Sequence, residues 1–129
     1  MEEKIKILLA EDDLQLIDMY KKKFELEGLE VILAEDGEKT LKLIKEEKLK
    51  PDIILLDIMM PKINGIEVLK EIRENPETKD YLVVILTNLG NETTAEEIYR
   101  YGATDYIVKA ETTPIEVAEK VKKLLKIYK

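Results

Sequence analysis

The chain has 129 residues, 45% of them hydrophobic and 38% charged, which is typical of a single globular domain with one sizeable core. Its net charge of −7 argues against nucleic acid or an anionic membrane surface as a direct partner. Because it contains neither cysteine nor histidine, disulfides, thiolate metal sites and histidine-based catalysis are excluded, and any metal ion must be held by oxygen ligands.

Short apolar runs alternate with helical patterns along the whole chain. The predicted strands cover residues 4–10, 29–34, 52–57, 82–87 and 104–108. The predicted helices cover residues 14–27, begin at Asp36-Gly37 and after Asn64, lie near 94–101, and begin again at Thr113-Pro114. Five strands, each followed by a helix, indicate an α/β fold with a parallel sheet. At this length we expect a flavodoxin-like, doubly wound (βα)5 arrangement with strand order 2-1-3-4-5.

Nothing in the sequence indicates a membrane segment or a secretory signal. The longest apolar runs, such as residues 53–56 and 82–86, are far too short to cross a bilayer. The first residues carry acid where a secretory signal has a basic and then an apolar region. We therefore expect a cytoplasmic protein without membrane insertion.

Acidic residues follow two predicted strands that the topology makes neighbours. Glu11, Asp12 and Asp13 come directly after strand 1, and Asp57 ends strand 3. The carboxyl ends of strands 1 and 3 meet at the switch point of a doubly wound sheet, where ligands bind. One acid after a strand often only caps the next helix, as Asp36 is expected to do. A cap accounts for one of Asp12 and Asp13, and it leaves the other acids unexplained.

Carboxylates brought this close together need a compensating cation. Two of them about 4 Å apart repel by about 4 kcal/mol at an effective dielectric constant of about 20. The group must therefore raise its pKa values or share a cation. Because only oxygen ligands are on offer, we expect Glu11, Asp12 and Asp57 to hold Mg²⁺ in a partly hydrated octahedral site.

The ends of strands 4 and 5 add a hydroxyl and an ammonium group to the same edge. Thr87 could donate a hydrogen bond to one phosphoryl oxygen, and Lys109 could pair with another. Asp57 ends the central strand beside both, so it is the predicted nucleophile toward phosphorus and would form an acyl phosphate. Alone, Thr87 would be an ordinary strand-end hydroxyl and Lys109 a solvated loop charge.

With these motifs, the chain resembles the response-regulator receiver domain over essentially all of its length. The matching elements are Glu11-Asp12 after strand 1, "LLDIMMPKINGIEVL" around Asp57, Thr87 after strand 4, and "DYIVK" ending at Lys109. The resemblance implies a phospho-accepting response regulator of a two-component phosphorelay. In that role Asp57 accepts a phosphoryl group from a sensor histidine kinase or a histidine phosphotransfer protein. Such a protein is a signalling phosphoacceptor that assists its own phosphorylation and dephosphorylation, and it is not classed as an enzyme.

The resemblance also implies how Mg²⁺ would be held. Asp12 and Asp57 would coordinate it through their side chains, and Glu11 would act mainly through water. The backbone carbonyl of Met59 would supply a further ligand. The Met59 side chain is expected to be loop packing only.

A switch is implied by two further matches. Tyr106 matches the aromatic switch position, whose ring turns inward when Thr87 moves toward the phosphate. The face made by helix 4, strand 5 and helix 5 would then be remodelled for a downstream protein target. Two places depart from the family pattern: Ala110 follows Lys109, where the family usually has proline, and Asn88 and Leu89 follow Thr87, where smaller or more polar residues are common.

We expect residues 1–129 to form a single receiver domain with no output domain, so that output depends on a protein partner; a phosphorylation-dependent dimer is left open. One alternative is a magnesium-dependent phosphohydrolase for a small molecule, although its haloacid-dehalogenase pattern needs aspartate at the position of Met59. Another is an engineered or ancestral receiver-like scaffold without a natural pathway, which would fit the richness in glutamate and lysine and the regular caps.

Overall fold

The computed structural model describes residues 4–88 and 94–128, and within them five parallel strands form one sheet. The strands are β1 (Lys6–Ala10), β2 (Glu30–Ala34), β3 (Ile53–Asp57), β4 (Val83–Thr87) and β5 (Asp105–Val108). The helices are α1 (Leu14–Leu26), α2 (Gly37–Leu41), α3 (Gly65–Glu74), α4 (Ala95–Arg100) and α5 (Pro114–Tyr128). The strand order is β2-β1-β3-β4-β5, so the predicted doubly wound fold is confirmed.

Helices cover both faces of the sheet. On one face, α1 and α5 contribute buried residues such as Tyr20, Phe24 and Val121 to one hydrophobic cluster. On the other face, α2, α3 and α4 pack against the sheet with residues such as Leu69 and Ile98. Every residue of β3 and β4 is buried, as expected for central parallel strands that are covered on both sides.

The predicted caps form at the starts of the helices. Asp13 accepts hydrogen bonds from two backbone N–H groups in the first turn of α1, and Asp36 and Asn64 each accept one at the starts of α2 and α3. At α5, Thr113 and Glu116 form a reciprocal capping box, with distances of 2.9 and 3.2 Å. Each cap satisfies N–H groups that the helix itself leaves without partners.

Two local features were not expected from the sequence. The second helix widens into a π-helical turn over Lys42–Glu46, where the N–H of Glu47 donates to the carbonyl of Lys42. A short 3₁₀ helix, Lys109–Glu111, follows β5 directly. No helix among the described residues is long and apolar enough to cross a membrane.

Candidate functional site

The register of the sheet brings the predicted site residues to one edge. Ala10 of β1 pairs with Leu56 of β3, so the next residues, Glu11 and Asp57, lie at the same level where the two strands end. Carboxylate oxygens of Glu11, Asp12 and Asp57 all lie within 4.8 Å of one another. The acids predicted to converge therefore do so. Asp13 instead caps α1, which is the one cap expected from Asp12 and Asp13.

Glu11 is completely buried, and both of its carboxylate oxygens have hydrogen-bond partners. Its Oε2 accepts from the backbone N–H groups of Asp12 and Asp13, both at 3.1 Å. Its Oε1 lies 3.1 Å from Nζ of Lys109. Glu11 is thus held rigidly beneath the more exposed Asp12, with its charge partly neutralised by the ammonium group.

Asp57 is almost as buried, with 3% of its surface exposed. Its Oδ2 lies 3.2 Å from Nζ of Lys109, and its Oδ1 accepts from the backbone N–H of Met59 at 3.3 Å. Burial, and then the negative charge of Glu11, raises the pKa of Asp57 to about 7 even though Lys109 acts in the opposite direction. The carboxyl group at the predicted phosphorylation position is therefore poised to ionise near neutral pH.

Lys109 bridges the two buried acids. Burial alone would lower the pKa of its ammonium group, but the charges of Asp57 and Glu11 outweigh burial and raise it.

The loop that carries Lys109 has no cis peptide bond, so Lys109–Ala110 is trans. The N–H of Ala110 donates to the side-chain oxygen of Asn88 at 3.1 Å, a bond that proline at this position could not make. Lys109 reaches both acids without the proline that the family usually has there.

Thr87 and Tyr106 lie on the same face of the sheet. Thr87, which ends β4, pairs with Val108, and Ile85 pairs with Tyr106. Because alternate residues of a strand share a face, the side chains of Thr87 and Tyr106 both point toward the face that α4 covers. Thr87 is buried, whereas Tyr106 is partly exposed and packs against the edge of the hydrophobic cluster.

The donor set suits a hard divalent cation. Among residues 4–88 and 94–128, three carboxylates share the pocket with one ammonium group, that of Lys109, so negative charge is in excess. Carboxylate oxygen is the ligand type that Mg²⁺ prefers. The expectation that the Met59 side chain packs within its loop is wrong, because Met59 is 77% exposed. Its backbone N–H donates to Oδ1 of Asp57, so this stretch of main chain lies beside the pocket.

Sequence reasoning missed one polar group near the site. Tyr20 is identifiable from its helical spacing as a core residue, but its hydroxyl is buried with no hydrogen-bond partner among the described residues. Burial first, and then the charge of Glu11, raises its pKa. The sequence does contain a signal for this buried hydroxyl: a tyrosine lies on the apolar face of the helix that directly follows the acidic end of strand 1.

The site thus combines buried acids at the switch point of a parallel sheet with a lysine from the end of β5, two strands away from β3. Residues 7–122 match the family described as the response regulator receiver domain. The chain belongs to this family, whose members are the receiver domains of two-component response regulators.

The relatives and solved structures agree with this assignment. The chain is 42% identical over 104 residues to the transcriptional regulatory protein CpxR of Escherichia coli K12, an alignment that covers 81% of the chain and 42% of that protein. It is 37% identical over 121 residues to the alkaline phosphatase synthesis transcriptional regulatory protein PhoP of Bacillus subtilis, covering 94% and 48%. The receiver domain of the Francisella response regulator 1452 superposes with a TM-score of 0.85 at 33% identity, covering 97% and 99%. Vibrio cholerae CheY4 gives 0.82 at 26%, covering 94% and 98%.

The chain spans about half the length, or somewhat less, of these curated relatives. Both are named transcriptional regulators, so the expectation that this protein has no nucleic-acid partner is not supported. The net charge of −7 applies to the receiver domain alone and carries no information about a protein of twice that length.

Proposed function

We propose that this receiver domain is phosphorylated on Asp57, by transfer from a phosphohistidine of a sensor histidine kinase or a histidine phosphotransfer protein. The observation that carries the proposal is the buried Asp57 carboxylate, held 3.2 Å from Nζ of Lys109 at the switch point of the sheet. In the reaction a carboxylate oxygen of Asp57 forms a bond to phosphorus, the P–N bond breaks, and the bonding electrons leave with the imidazole.

Lys109 and Thr87 would stabilise the transferred group. In the resting protein the ammonium of Lys109 partly offsets the charge of the two buried acids. When a phosphoryl group arrives, the same ammonium can pair with one of its oxygens, and the hydroxyl of Thr87 can donate a hydrogen bond to another. Thr87 pairs with Val108, the last residue of β5, and Lys109 comes directly after it, so both groups lie at the same edge of the sheet.

The titration of Asp57 supports a role for a further cation. A carboxyl group whose pKa is about 7 is partly protonated at neutral pH, and only its carboxylate form can attack phosphorus. We infer that Asp12, Asp57 and the backbone carbonyl of Met59 hold Mg²⁺, with Glu11 acting through water. When bound, Mg²⁺ favours the carboxylate form and offsets the repulsion between the phosphoryl oxygens and the acids.

Phosphorylation would be passed on to a partner through Thr87 and Tyr106, which lie on the same face of the sheet. Movement of Thr87 toward the phosphoryl group frees space beside β4, and the ring of Tyr106 turns inward to fill it. The face of α4, β5 and α5 then changes shape for a downstream protein target. Partial exposure of Tyr106 supports this role, because a fully packed ring could not exchange between two positions.

Mass spectrometry after treatment with acetyl phosphate or phosphoramidate and Mg²⁺ tests the proposal. We expect the wild type to gain the mass of one phosphoryl group and Asp57→Asn to gain none. Asp36→Asn, which removes a helix-capping acid outside the pocket, should still be labelled. A label that survives in Asp57→Asn would reject Asp57 as the acceptor. Multiple turnover of a phosphate ester would instead indicate a small-molecule phosphohydrolase.

A further inference from the structure

A chain of polar contacts joins α4, β5 and α5 on their common face. The hydroxyl of Tyr99, on α4, donates to Oδ1 of Asp105 at 2.9 Å. The same oxygen accepts from the backbone N–H of Tyr106 at 2.7 Å. The other oxygen of Asp105 lies 3.3 Å from Nζ of Lys120, on α5. One carboxylate at the start of β5 therefore connects all three elements.

The rings of Tyr99 and Tyr106 meet within this network. Their centroids lie 5.7 Å apart and their planes are inclined by 71°, which is the favoured edge-to-face geometry of an aromatic pair. Both rings line a groove of 480 Å³ that also includes Asp105 and Lys120. The ring of Tyr99 is anchored at its far end by the hydrogen bond to Asp105, so its orientation toward Tyr106 is fixed.

The phenol of Tyr99 stays protonated at neutral pH. Burial, and then the hydrogen bond to Asp105, raises the pKa of Tyr99 to about 12, so the phenol remains a donor at neutral pH. Tyr99 is nevertheless 48% exposed, so much of its ring contributes nothing to the hydrophobic core. The contacts of Tyr99 are its hydrogen bond to Asp105 and its ring contact with Tyr106.

We propose that Tyr99 is a positioning residue that holds Tyr106 in its resting orientation. The inference rests on the proposed function, in which the ring of Tyr106 turns inward on phosphorylation. Such a turn separates the two rings, whereas the anchor of Tyr99 to Asp105 stays behind on the surface. The contact therefore stabilises the resting state and opposes activation.

Thermodynamic linkage between the Tyr99–Tyr106 contact and the phosphorylation site predicts how loss of the contact changes ligand affinity. A contact present only in the resting state weakens the binding of any ligand that favours the active state. Loss of the contact must strengthen that binding by the same factor. An aromatic pair of this geometry corresponds to a change of about two- to tenfold.

Titration with beryllofluoride and Mg²⁺, a phosphoryl mimic for a carboxylate, measures this factor. We expect Tyr99→Phe, which removes only the anchor, to bind the mimic about two- to threefold more tightly than the wild type, and Tyr99→Ala up to about tenfold more tightly. Asp105→Asn and Lys120→Met should change the affinity in the same direction as Tyr99→Phe.

Two matched controls remove similar groups outside the network. Tyr101→Phe removes a phenol directly after α4 whose ring lies under Nζ of Lys70, and Lys122→Met removes an α5 lysine that pairs with Glu27, directly after α1. Neither should change the affinity for the mimic. The position of the Tyr106 ring, followed by NOE contacts to Ile85 and Ile98, provides a second readout. In Tyr99→Ala, we expect a larger share of the inward position before any ligand is added.

The outcomes separate a positioning role from a structural one. If Tyr99 only fastens α4 to β5, its variants will lose stability while their affinity for beryllofluoride stays unchanged or falls, and the inference is wrong. If the wild type fails to bind the mimic at all, the proposed function fails and the inference fails with it. Tighter binding in Tyr99→Phe, with unchanged controls, supports both.

Discussion

The ammonium nitrogen of Lys109 lies 3.2 Å from Oδ2 of Asp57, although the two residues follow different strands and are separated by β4 in the sheet order. The ammonium also reaches Glu11 at 3.1 Å, so one cation serves two buried acids. This pairing offsets the repulsion between the two buried carboxylates in the resting protein. Removing the ammonium group should therefore lower the stability of the protein.

Lys109→Met should therefore lower the free energy of unfolding. Breaking a buried ion pair by removing one partner costs about 3–5 kcal/mol, and proton uptake by Asp57 should reduce that cost to roughly 2 kcal/mol. The loss should be larger near pH 8 than near pH 5, because the acids are more fully ionised at the higher pH. Urea unfolding in EDTA at both pH values measures it. Lys62→Met, which removes an exposed partner of Asp36, should cost much less; equal losses would mean that the Lys109 contacts contribute little.

Asp57→Asn should stabilise the metal-free protein above neutral pH. Aspartate titrates near pH 3.9 in an unfolded chain and near 7 here, so the folded protein binds the extra proton between these values. The contribution of Asp57 to the free energy of unfolding should therefore be greatest below about pH 4 and fall as the pH rises to about 7. We expect Asp57→Asn to remove this slope and to be about 1–3 kcal/mol more stable than the wild type near pH 8, since ionising Asp57 costs up to roughly 4 kcal/mol and some attraction to Lys109 is lost.

Asp36→Asn provides a control of opposite sign for that measurement. Its backbone hydrogen bond to Lys39, followed in smaller part by the charge of Lys62, lowers the pKa of Asp36 despite burial. A lowered pKa contributes stability that is present above the unfolded value and lost as the pH falls. Asp36→Asn should therefore destabilise the protein at neutral pH. A stability curve for Asp57→Asn that runs parallel to the wild type would contradict the raised pKa of Asp57.

Magnesium should raise the melting temperature through the same pocket. A ligand at about 100 times its dissociation constant adds about 2.7 kcal/mol to the free energy of unfolding. Asp12→Asn should lose most of this gain, because it removes a carboxylate from the acidic group. Asp18→Asn, which removes an exposed acid paired with Lys22 on α1, should keep it. Differential scanning calorimetry across a Mg²⁺ titration is the measurement, and a flat wild-type curve would reject the metal site.

The sequence predicts those parts of the fold and site that depend on local pattern. The apolar runs that became β3 and β4 identify central strands, and Asp13 and Asn64 identify helix starts, because caps and periodicity act over a few residues. Strand order then follows from the βα alternation. That order is sufficient to bring the ends of β1, β3 and β5 to one edge. The sequence alone therefore predicts that the acids and Lys109 lie in one site.

The remaining features depend on contacts that spacing does not encode. The sequence places Glu11 in the pocket, but it does not reveal that its Oε2 is occupied by the N–H groups of Asp12 and Asp13. Nor does it reveal that Asn88 accepts a hydrogen bond from the N–H of Ala110, at the position where the family usually has proline. Both depend on the exact path of the backbone after a strand ends, where rotamers and loop angles decide the partners.

Tyr20→Phe should stabilise the protein by about 1 kcal/mol. A buried hydroxyl without a partner costs about 1–3 kcal/mol, and phenylalanine keeps the ring and its stacking on Phe24, with centroids 6.0 Å apart. Urea unfolding of both proteins tests this, with the exposed Tyr128→Phe as a control that should change little. A less stable Tyr20→Phe would show that the hydroxyl gains a hydrogen-bond partner in solution.

Gly65→Ala should disturb the pocket from behind the phosphorylation position. Gly65 begins α3, and its N–H donates to the carbonyl of Ile58 at 2.9 Å, which folds the loop back onto the end of β3. A Cβ atom at this position would collide with the backbone carbonyl of Asp57, and backbone cannot move aside as a flexible side chain can. Overpacking of this kind costs about 1–3 kcal/mol, and here the atoms displaced belong to Asp57 itself. We therefore expect lower stability, a smaller gain from Mg²⁺ and slower labelling by acetyl phosphate.

Gly28→Ala separates this effect from a general loss of stability. Gly28 has a positive φ of 82° after α1, and a Cβ there would meet no other atom within 4 Å, so alanine costs only backbone strain of about 1 kcal/mol. Gly28→Ala should thus lower the melting temperature while leaving the shift caused by Mg²⁺ intact. If Gly65→Ala also keeps the full shift, the loop after β3 does not position Asp57, and the pocket is set by the ends of β1 and β5 alone.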